Sequence, residues 1–276
     1  MFDGRDLCIA TMHQKETFIA PVLEQALGVR CFTCSELNTD LMGTFTGEIE
    51  RSGTPVEAAR QKCIRAMALT GCDLAVSSEG SFGSHPVVGF IPCDEEILFF
   101  CDRKHHIEIV VRELSTKTNF AGDDVQDFEA LKQFALRARF PSHGLILKDL
   151  SGRVIAKGIA DWDKLSEKFN QALCIGVPVK VETDMRAHFN PTRMRVIEAC
   201  AHKLVAAIKS SCPACGMPGF VVTDAEPGLP CELCHLPTRS SLKHIRTCKN
   251  CGHRNEILYP HQKQFEDPMY CDFCNP

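Results

Sequence analysis

Three features that would place the chain in a specialised class of protein are missing from the sequence. No apolar run approaches the roughly 20 residues needed to cross a bilayer. The N-terminus, MFDGRDLCIA, carries aspartates where a secretory signal peptide would be basic. The formal charge of −4 argues against a protein whose main task is to coat nucleic acid or an anionic membrane, although it allows a local basic patch. We therefore expect a cytoplasmic protein without a membrane partner.

The composition is that of a globular protein, because 44% of the residues are apolar and the 276-residue chain is long enough to bury a core. Strand patterns occur at 6–11, 29–32, 73–78, 95–101, 106–114, 143–149, 153–160 and 179–183, and helical patterns at 16–27, 55–70, 124–139, 161–173 and 192–209. This order predicts an α/β domain over residues 1–210, with a mixed sheet flanked by helices. A cysteine-rich module is predicted over 211–276.

Cysteine is abundant, and eight of the 17 cysteines form four Cys-x-x-Cys pairs in the last quarter of the chain. The pairs are Cys212 with Cys215, Cys231 with Cys234, Cys248 with Cys251, and Cys271 with Cys274. Two such pairs supply the four thiolates of a closed tetrahedral site, so the tail predicts two structural zinc ions, with iron as the other metal that accepts this ligand set. We expect the first pair to join the second and the third to join the fourth; the crossed arrangement is the alternative. The tail resembles tandem zinc ribbons.

The tail also contains a short basic stretch, which bears on its partner. Its members are Arg239, Lys243, His244, Arg246, Lys249 and Arg254. Zinc ribbons bind nucleic acid, bind protein or only stabilise a fold, and acidic residues elsewhere in the tail offset these charges. The candidate partners are therefore nucleic acid and protein, and a purely structural role stays open.

Polar side chains follow two predicted strands of the N-terminal domain. The strand that begins at Leu74 leads into Ser78, Glu79 and Gly80, and the first strand leads through Thr11 to Lys15, where a helix should begin. Open α/β sheets place ligand sites beyond the carboxyl ends of their strands, and a helix N-terminus beside a lysine suits phosphate. An ordinary solvated Lys15 and a capping role for Glu79 are the alternatives.

The stretch from TFTGEIERSGTPVEAARQKCIRAMALTG to the acidic strand end resembles the house-cleaning nucleoside triphosphate pyrophosphatases, such as inosine/xanthosine triphosphate pyrophosphatase. The resemblance covers residues 6–83. It implies magnesium-assisted hydrolysis of a nucleoside triphosphate to a monophosphate and pyrophosphate. It further implies that Glu50 and Glu79 hold the metal, that Lys62 faces the triphosphate as part of the catalytic set, and that Lys15 binds phosphate.

Further polar clusters follow in the second half of the domain. STKTNF and FPSH precede the stretch ETDMRAHFNPTRMR, in which Asn190 should cap a helix that starts at Pro191. Arginines at a helix N-terminus oppose the helix dipole, and a bound anion would relieve this repulsion. We therefore predict that Arg186 and Arg193 bind an anion.

The whole chain also resembles an uncharacterised family of bacterial proteins with the same order of parts, which supports the architecture and implies no reaction. The leading functional prediction is a metal-dependent phosphohydrolase with a structural zinc module. The alternative is a non-enzymatic sensor of an anion or nucleotide whose zinc ribbons dock on nucleic acid or protein. Redox chemistry at Cys31 and Cys34 is a third reading.

Overall fold

The structure is a computed structural model that describes residues 1–37 and 53–276. The chain divides into two compact units, Met1–Val205 and Ala206–Pro276. Among the described residues, no helix combines the length and the apolar character needed to cross a bilayer.

The first part of the N-terminal unit is a five-stranded mixed sheet. Its elements are β1 (Asp6–Ala10), α1 (Glu16–Leu27), β2 (Arg30–Thr33), α2 (Pro55–Thr70), β3 (Leu74–Ser84), β4 (Pro92–Asp102) and β5 (Ile107–Ser115). The strand order is β2-β1-β3-β4-β5, in which β1 is parallel to both neighbours and β3, β4 and β5 form an antiparallel meander. Helix α2 packs on β1, β3 and β4 and covers a core that includes Ala59, Cys63 and Phe99.

Helix α2 begins and ends where its sequence signals predict. Thr54 accepts a hydrogen bond from the Glu57 amide, the Glu57 carboxylate accepts one from the Thr54 amide, and Pro55 occupies the first helical position. Gly71 ends the helix with a left-handed φ of 73°.

Strand β3 differs from the sequence prediction, which ended it at Ser78. It continues to Ser84 and pairs with β4 along its whole length, from Leu74 opposite Asp102 to Ser84 opposite Pro92. The polar and glycine residues from Glu79 to Ser84, which lie beyond the end of the predicted strand, are therefore strand residues. Pairing with a long partner strand supplies the backbone hydrogen bonds that local sequence preference does not favour here.

The second part of the N-terminal unit is a four-stranded antiparallel sheet. Its elements are β6 (Gly122–Val125), α3 (Phe128–Arg137), β7 (Leu145–Lys148), β8 (Val154–Ile159), α4 (Trp162–Leu173) and β9 (Val179–Thr183), followed by α5 (Pro191–Lys209). The strand order is β6-β9-β7-β8. The predicted helix at 124–139 was wrong at its start, because residues 122–125 pair with β9 and Asp127 caps α3.

The C-terminal unit contains a three-stranded antiparallel sheet made of β10 (Val222–Pro227), β11 (Ser241–Thr247) and β12 (Arg254–Leu258), with β11 in the centre. It buries few large apolar side chains. After residue 210, those buried are Phe220, Leu229 and Ile245, alongside cysteines.

Candidate functional site

A buried group of charged side chains lies beside the carboxyl end of β1. Strand β1 ends opposite the middle of β3, with Ala10 paired to Ser77, and the chain then turns into α1 at Lys15. We call the charged residues gathered here the strand-end cluster: Lys15, Lys62, Glu79, Glu96 and Arg193. All five are at least 90% buried.

Lys15 contacts groups on both β3 and β4. Its Nζ donates a hydrogen bond to Ser78 Oγ at 3.0 Å and lies 3.9 Å from Glu96 Oε2. Burial and the positive charge of Arg193 lower the pKa of Lys15 to about 7, against the partial compensation of Glu96. Lys15 therefore loses its proton readily near neutral pH.

Two ion pairs complete the strand-end cluster. Lys62 Nζ on α2 pairs with the Glu79 carboxylate on β3. Arg193 Nε on α5 donates to Glu96 Oε1 at 2.6 Å, and its guanidinium lies 5.0 Å from the centre of the Phe82 ring. Lys15, Lys62 and Glu79 thus come together from positions far apart in the sequence.

Gly80 is required by the packing of these pairs. A Cβ at this position would lie 2.5 Å from Arg193 Nη2 and 2.5 Å from Glu96 Oε1. At Gly83, by contrast, an added Cβ meets nothing within 4 Å among the described residues. Gly80 therefore admits the Arg193 and Glu96 side chains to the surface of β3.

Asp94 is a further buried carboxyl group, two residues before Glu96 on β4. Both of its side-chain oxygens are buried without a hydrogen-bond partner in the described part of the chain. Burial raises the pKa of Asp94 to about 8, and the charge of Glu96 adds to this effect. Asp94 is therefore mainly protonated at neutral pH.

The other predicted anion-binding arginine has a different environment. Arg186 donates from Nη2 to Asp184 Oδ2 at 2.6 Å and from Nε to both carboxylate oxygens. Its guanidinium also lies 4.7 Å from the Phe189 ring centre. Arg186 and Arg193 thus each pair with an internal carboxylate. Glu50, the second predicted metal ligand, lies outside the described residues.

The eight tail cysteines form two clusters, and the pairs alternate between them. One contains Cys212, Cys215, Cys248 and Cys251, and the other contains Cys231, Cys234, Cys271 and Cys274. In each, the four Sγ atoms lie within 4.8 Å of one another, and the closest pairs are 3.6–3.8 Å apart. Four sulfurs at 2.3 Å from a tetrahedral ion are about 3.8 Å apart. The geometry therefore fits a metal such as zinc.

The sequential pairing expected from the sequence was wrong, and the antiparallel sheet explains the alternation. Val222 at the start of β10 pairs with Arg246 near the end of β11, so the pair before β10 lies beside the pair between β11 and β12. The pair after β10 and the pair after β12 follow from the opposite end of the sheet. Each cluster therefore consists of two cysteine pairs that lie at the same end of the three-stranded sheet.

The first pair in each cluster is followed by a residue with left-handed backbone conformation. Gly216 has a φ of 73° and His235 a φ of 60°. Their amides donate to the carbonyl oxygens of Cys212 and Cys231 at 2.8 and 3.0 Å. These turns bring the two thiols of a pair to the same side of the chain.

Three of the six residues in the basic stretch of the tail pair with carboxylates of their own unit. Lys243 pairs with Glu226 at 2.9 Å and with Glu256 at 3.0 Å, and Arg254 contacts the same two carboxylates. Arg239 pairs with Asp272 at 2.9 Å. These contacts leave less positive charge for nucleic acid than the sequence implies.

Sequence reasoning missed Glu96 and Asp94. Glu96 lies on the strand predicted at 95–101, and Asp94 immediately precedes that strand. Both residues lie on the same face of β4 as the buried Leu98 and Phe100. The alternation of strand side chains could have revealed them, because positions 94 and 96 fall on the same face of the strand as the apolar positions 98 and 100.

The fold and the clusters define a mixed α/β protein whose C-terminal unit carries two tetracysteine groups able to hold metal ions. The chain belongs to a family described as a domain of unknown function (DUF6671), whose model matches residues 62–276. No curated protein matches the chain. The matched range includes all eight tail cysteines, together with Lys62, Glu79, Glu96 and Arg193.

Proposed function

We propose that the N-terminal unit binds a phosphorylated small molecule, such as a nucleotide, at the strand-end cluster, and that the C-terminal unit is a structural module with two zinc ions. The observation that supports the first part is the buried Lys15, which shares the Glu96 carboxylate with Arg193. Lys62 lies in the same group of buried side chains, where it pairs with Glu79. A phosphate placed beside these cations would favour the protonated form of Lys15.

The second part rests on the geometry of the tail. In each cluster the four Sγ atoms lie within 4.8 Å of one another, which is the arrangement that four thiolates adopt around one tetrahedral ion. Zinc is the metal proposed, because it prefers a tetrahedral set of four thiolates. The exposed Leu233, Met269, Tyr270 and Phe273 near the second cluster support protein over nucleic acid as the partner of the tail.

Metal-dependent hydrolysis of the bound phosphate is the second candidate function. The convergence of Lys15, Lys62 and Glu79 favours it, because the resemblance to the pyrophosphatases implies these three residues as neighbours. The described carboxylates fit magnesium poorly, however, because Glu79 pairs with Lys62 and Glu96 with Arg193. A magnesium site would need these pairs to open or would draw on Glu50. For this reason we propose phosphate binding as the first candidate function and hydrolysis as the second.

Calorimetric titration of a panel of nucleoside triphosphates tests the binding function. We expect Lys15→Met to weaken binding of the tightest nucleotide by about 10- to 100-fold, the usual effect of losing one charge-assisted hydrogen bond. Lys132→Met is the matched control, because Lys132 is exposed on α3. Absence of binding by the unchanged protein at millimolar nucleotide would contradict the proposal.

Release of phosphate or pyrophosphate, measured with and without magnesium, separates the two candidates. If hydrolysis is the function, Glu79→Gln should abolish magnesium-dependent release while circular dichroism shows an intact fold. Nucleotide binding without release under any of these conditions would leave the sensor function alone.

A further inference from the structure

A large open cavity lies in the N-terminal unit, between the end of β5, the turn after α3 and the first turns of α5. Its volume is about 740 Å³, and three basic side chains from three separate segments line it: Lys117, Arg139 and Arg195. We call it the basic cavity. None of the five residues of the strand-end cluster lines it.

The basic side chains of the cavity differ from those of the strand-end cluster in their ion pairing. In residues 1–37 and 53–276, none of its three basic side chains forms an ion pair with a carboxylate. The acidic residue in the lining, Glu113, is itself paired with Lys203 at 2.5 Å. This contrasts with the arginines of the sequence-predicted anion site, which both pair with buried carboxylates.

Hydrogen-bond donors in the basic cavity are held in place by a buried histidine. Arg139 Nη1 donates to Thr192 Oγ1 at 3.0 Å, and Thr192 Oγ1 lies 2.8 Å from His143 Nε2. Ser142 Oγ lies 3.0 Å from His143 Nδ1 and donates to the Arg139 carbonyl oxygen at 2.7 Å. This closed chain fixes the Arg139 guanidinium at the wall of the cavity.

The protonation state of His143 agrees with this role. Burial lowers the pKa of His143, and the nearby positive charge of Arg139 lowers it further. A neutral imidazole accepts a hydrogen bond at Nε2, so the Thr192 hydroxyl donates to it and accepts from Arg139. Thr116 and Thr118 add further hydroxyl groups to the lining.

We propose that the basic cavity is a second binding site, for a small molecule that carries a phosphate or pyrophosphate group. Three cations and several hydroxyls suit a multiply charged oxyanion, and Thr192 lies in the first turn of a 19-residue helix, where the helix dipole favours negative charge. The volume lies within the range of sites for small ligands, and the concave wall favours these over an extended nucleic-acid backbone. The site is independent of the proposed function of the strand-end cluster.

Titration calorimetry with inorganic pyrophosphate tests this site, and it is done in the Lys15→Met variant so that the strand-end cluster contributes little. We expect Arg195→Gln and Lys117→Gln each to weaken pyrophosphate binding about tenfold or more, since each removes a charged contact. The matched controls are Arg103→Gln and Lys132→Gln, which change exposed side chains elsewhere and should leave the affinity within about twofold.

Chemical modification of arginine gives a second measurement that does not depend on variants. Pyrophosphate should slow the reaction of phenylglyoxal with Arg139 and Arg195 several-fold in the unchanged protein, and leave Arg103 unaffected, as read by mass spectrometry of peptides. Absence of pyrophosphate binding, or equal losses in the variants and their controls, would overturn the proposal. So would tight binding of a single-stranded oligonucleotide combined with no binding of pyrophosphate.

Discussion

The strand-end cluster and the cysteine clusters bring polar groups together in opposite ways. In the first, Glu79 and Glu96 already lie against Lys62 and Arg193, so cations and anions largely satisfy one another. In the second, four groups of the same kind meet within 4.8 Å and offer one another no opposite charge. The comparison leads us to expect that the C-terminal unit depends on a bound ion for its shape, whereas the charged groups of the strand-end cluster pair with one another.

Removal of metal is the change with the largest expected effect on this comparison. Chelation should unfold residues 211–276, because few apolar side chains are buried there and metal binding contributes most of the folding free energy of such modules. Hydrogen-exchange mass spectrometry should show full loss of protection in β10, β11 and β12, with β1, β3 and β4 unchanged. Retained protection of β11 after chelation would contradict the expectation that the C-terminal unit, unlike the N-terminal unit, depends on a metal ion.

Loss of a buried charge should have the next largest effect, and it falls on the N-terminal unit. Arg193→Met leaves the Glu96 carboxylate buried with Lys15 as its remaining cation, so we expect a loss of about 3–5 kcal/mol in the free energy of unfolding. Arg195→Met, at an exposed position two residues away, should change it by less than about 0.5 kcal/mol. Urea denaturation measures both, and equal effects would show that Arg193 is not part of a buried pair.

The packing at Gly80 gives a smaller effect with a control on the same strand. Gly80→Ala places a methyl group against Arg193 and Glu96 and should destabilise the protein by about 1–3 kcal/mol. Gly83→Ala should be nearly neutral, because an added Cβ there meets no described atom within 4 Å. Two equal values in the same denaturation assay would refute the close approach at Gly80.

The smallest expected effect is the pH dependence of nucleotide binding. Because the pKa of Lys15 is lowered from 10.5 to about 7, the folded protein loses this proton as the pH rises through 7, and binding of an anion should weaken by about tenfold or less between pH 6 and 8. The same shift makes the free energy of unfolding rise with pH between about 7 and 10.5, because the unfolded chain binds more protons than the folded protein in this range. Burial raises the pKa of Asp94 to about 8, so its deprotonation near this pH should weaken the proposed anion binding further.

Two variants separate these titrations. Lys15→Met should remove the pH dependence near 7, and Asp94→Asn should remove the part near 8. Calorimetry at several pH values reads both. An unchanged pH profile in Lys15→Met would show that another group is responsible.

Local patterns predicted what local interactions determine. Helix α2 has its cap, its first-position proline and its terminal glycine in the sequence, and its bounds at 55–70 match the structure. The extension of β3 to Ser84 depends on pairing with β4, and the burial of Glu96 depends on Arg193, 97 residues away. Neither the extension of β3 nor the burial of Glu96 can be predicted from neighbouring residues in the sequence.

The cysteine pairs show the same limit at longer range. Their spacing predicted all eight candidate ligands, because the two thiols of a Cys-x-x-Cys pair are joined by one local turn. Their assignment to two clusters depends on the register of β10 against β11, which the spacing does not specify. Lys117, Arg139 and Arg195 likewise meet in one cavity only through the fold.

The metal content of the Cys215→Ser, Cys251→Ser double variant tests the central claim most directly. In the structure, both cysteines belong to one cluster, so elemental analysis of protein prepared without added metal should give about two zinc ions per chain for the unchanged protein and about one for the variant. If the first pair instead joined the second and the third joined the fourth, the variant would lose ligands from both sites and its content would fall toward zero. A value near zero, or a value below one in the unchanged protein, would contradict the account.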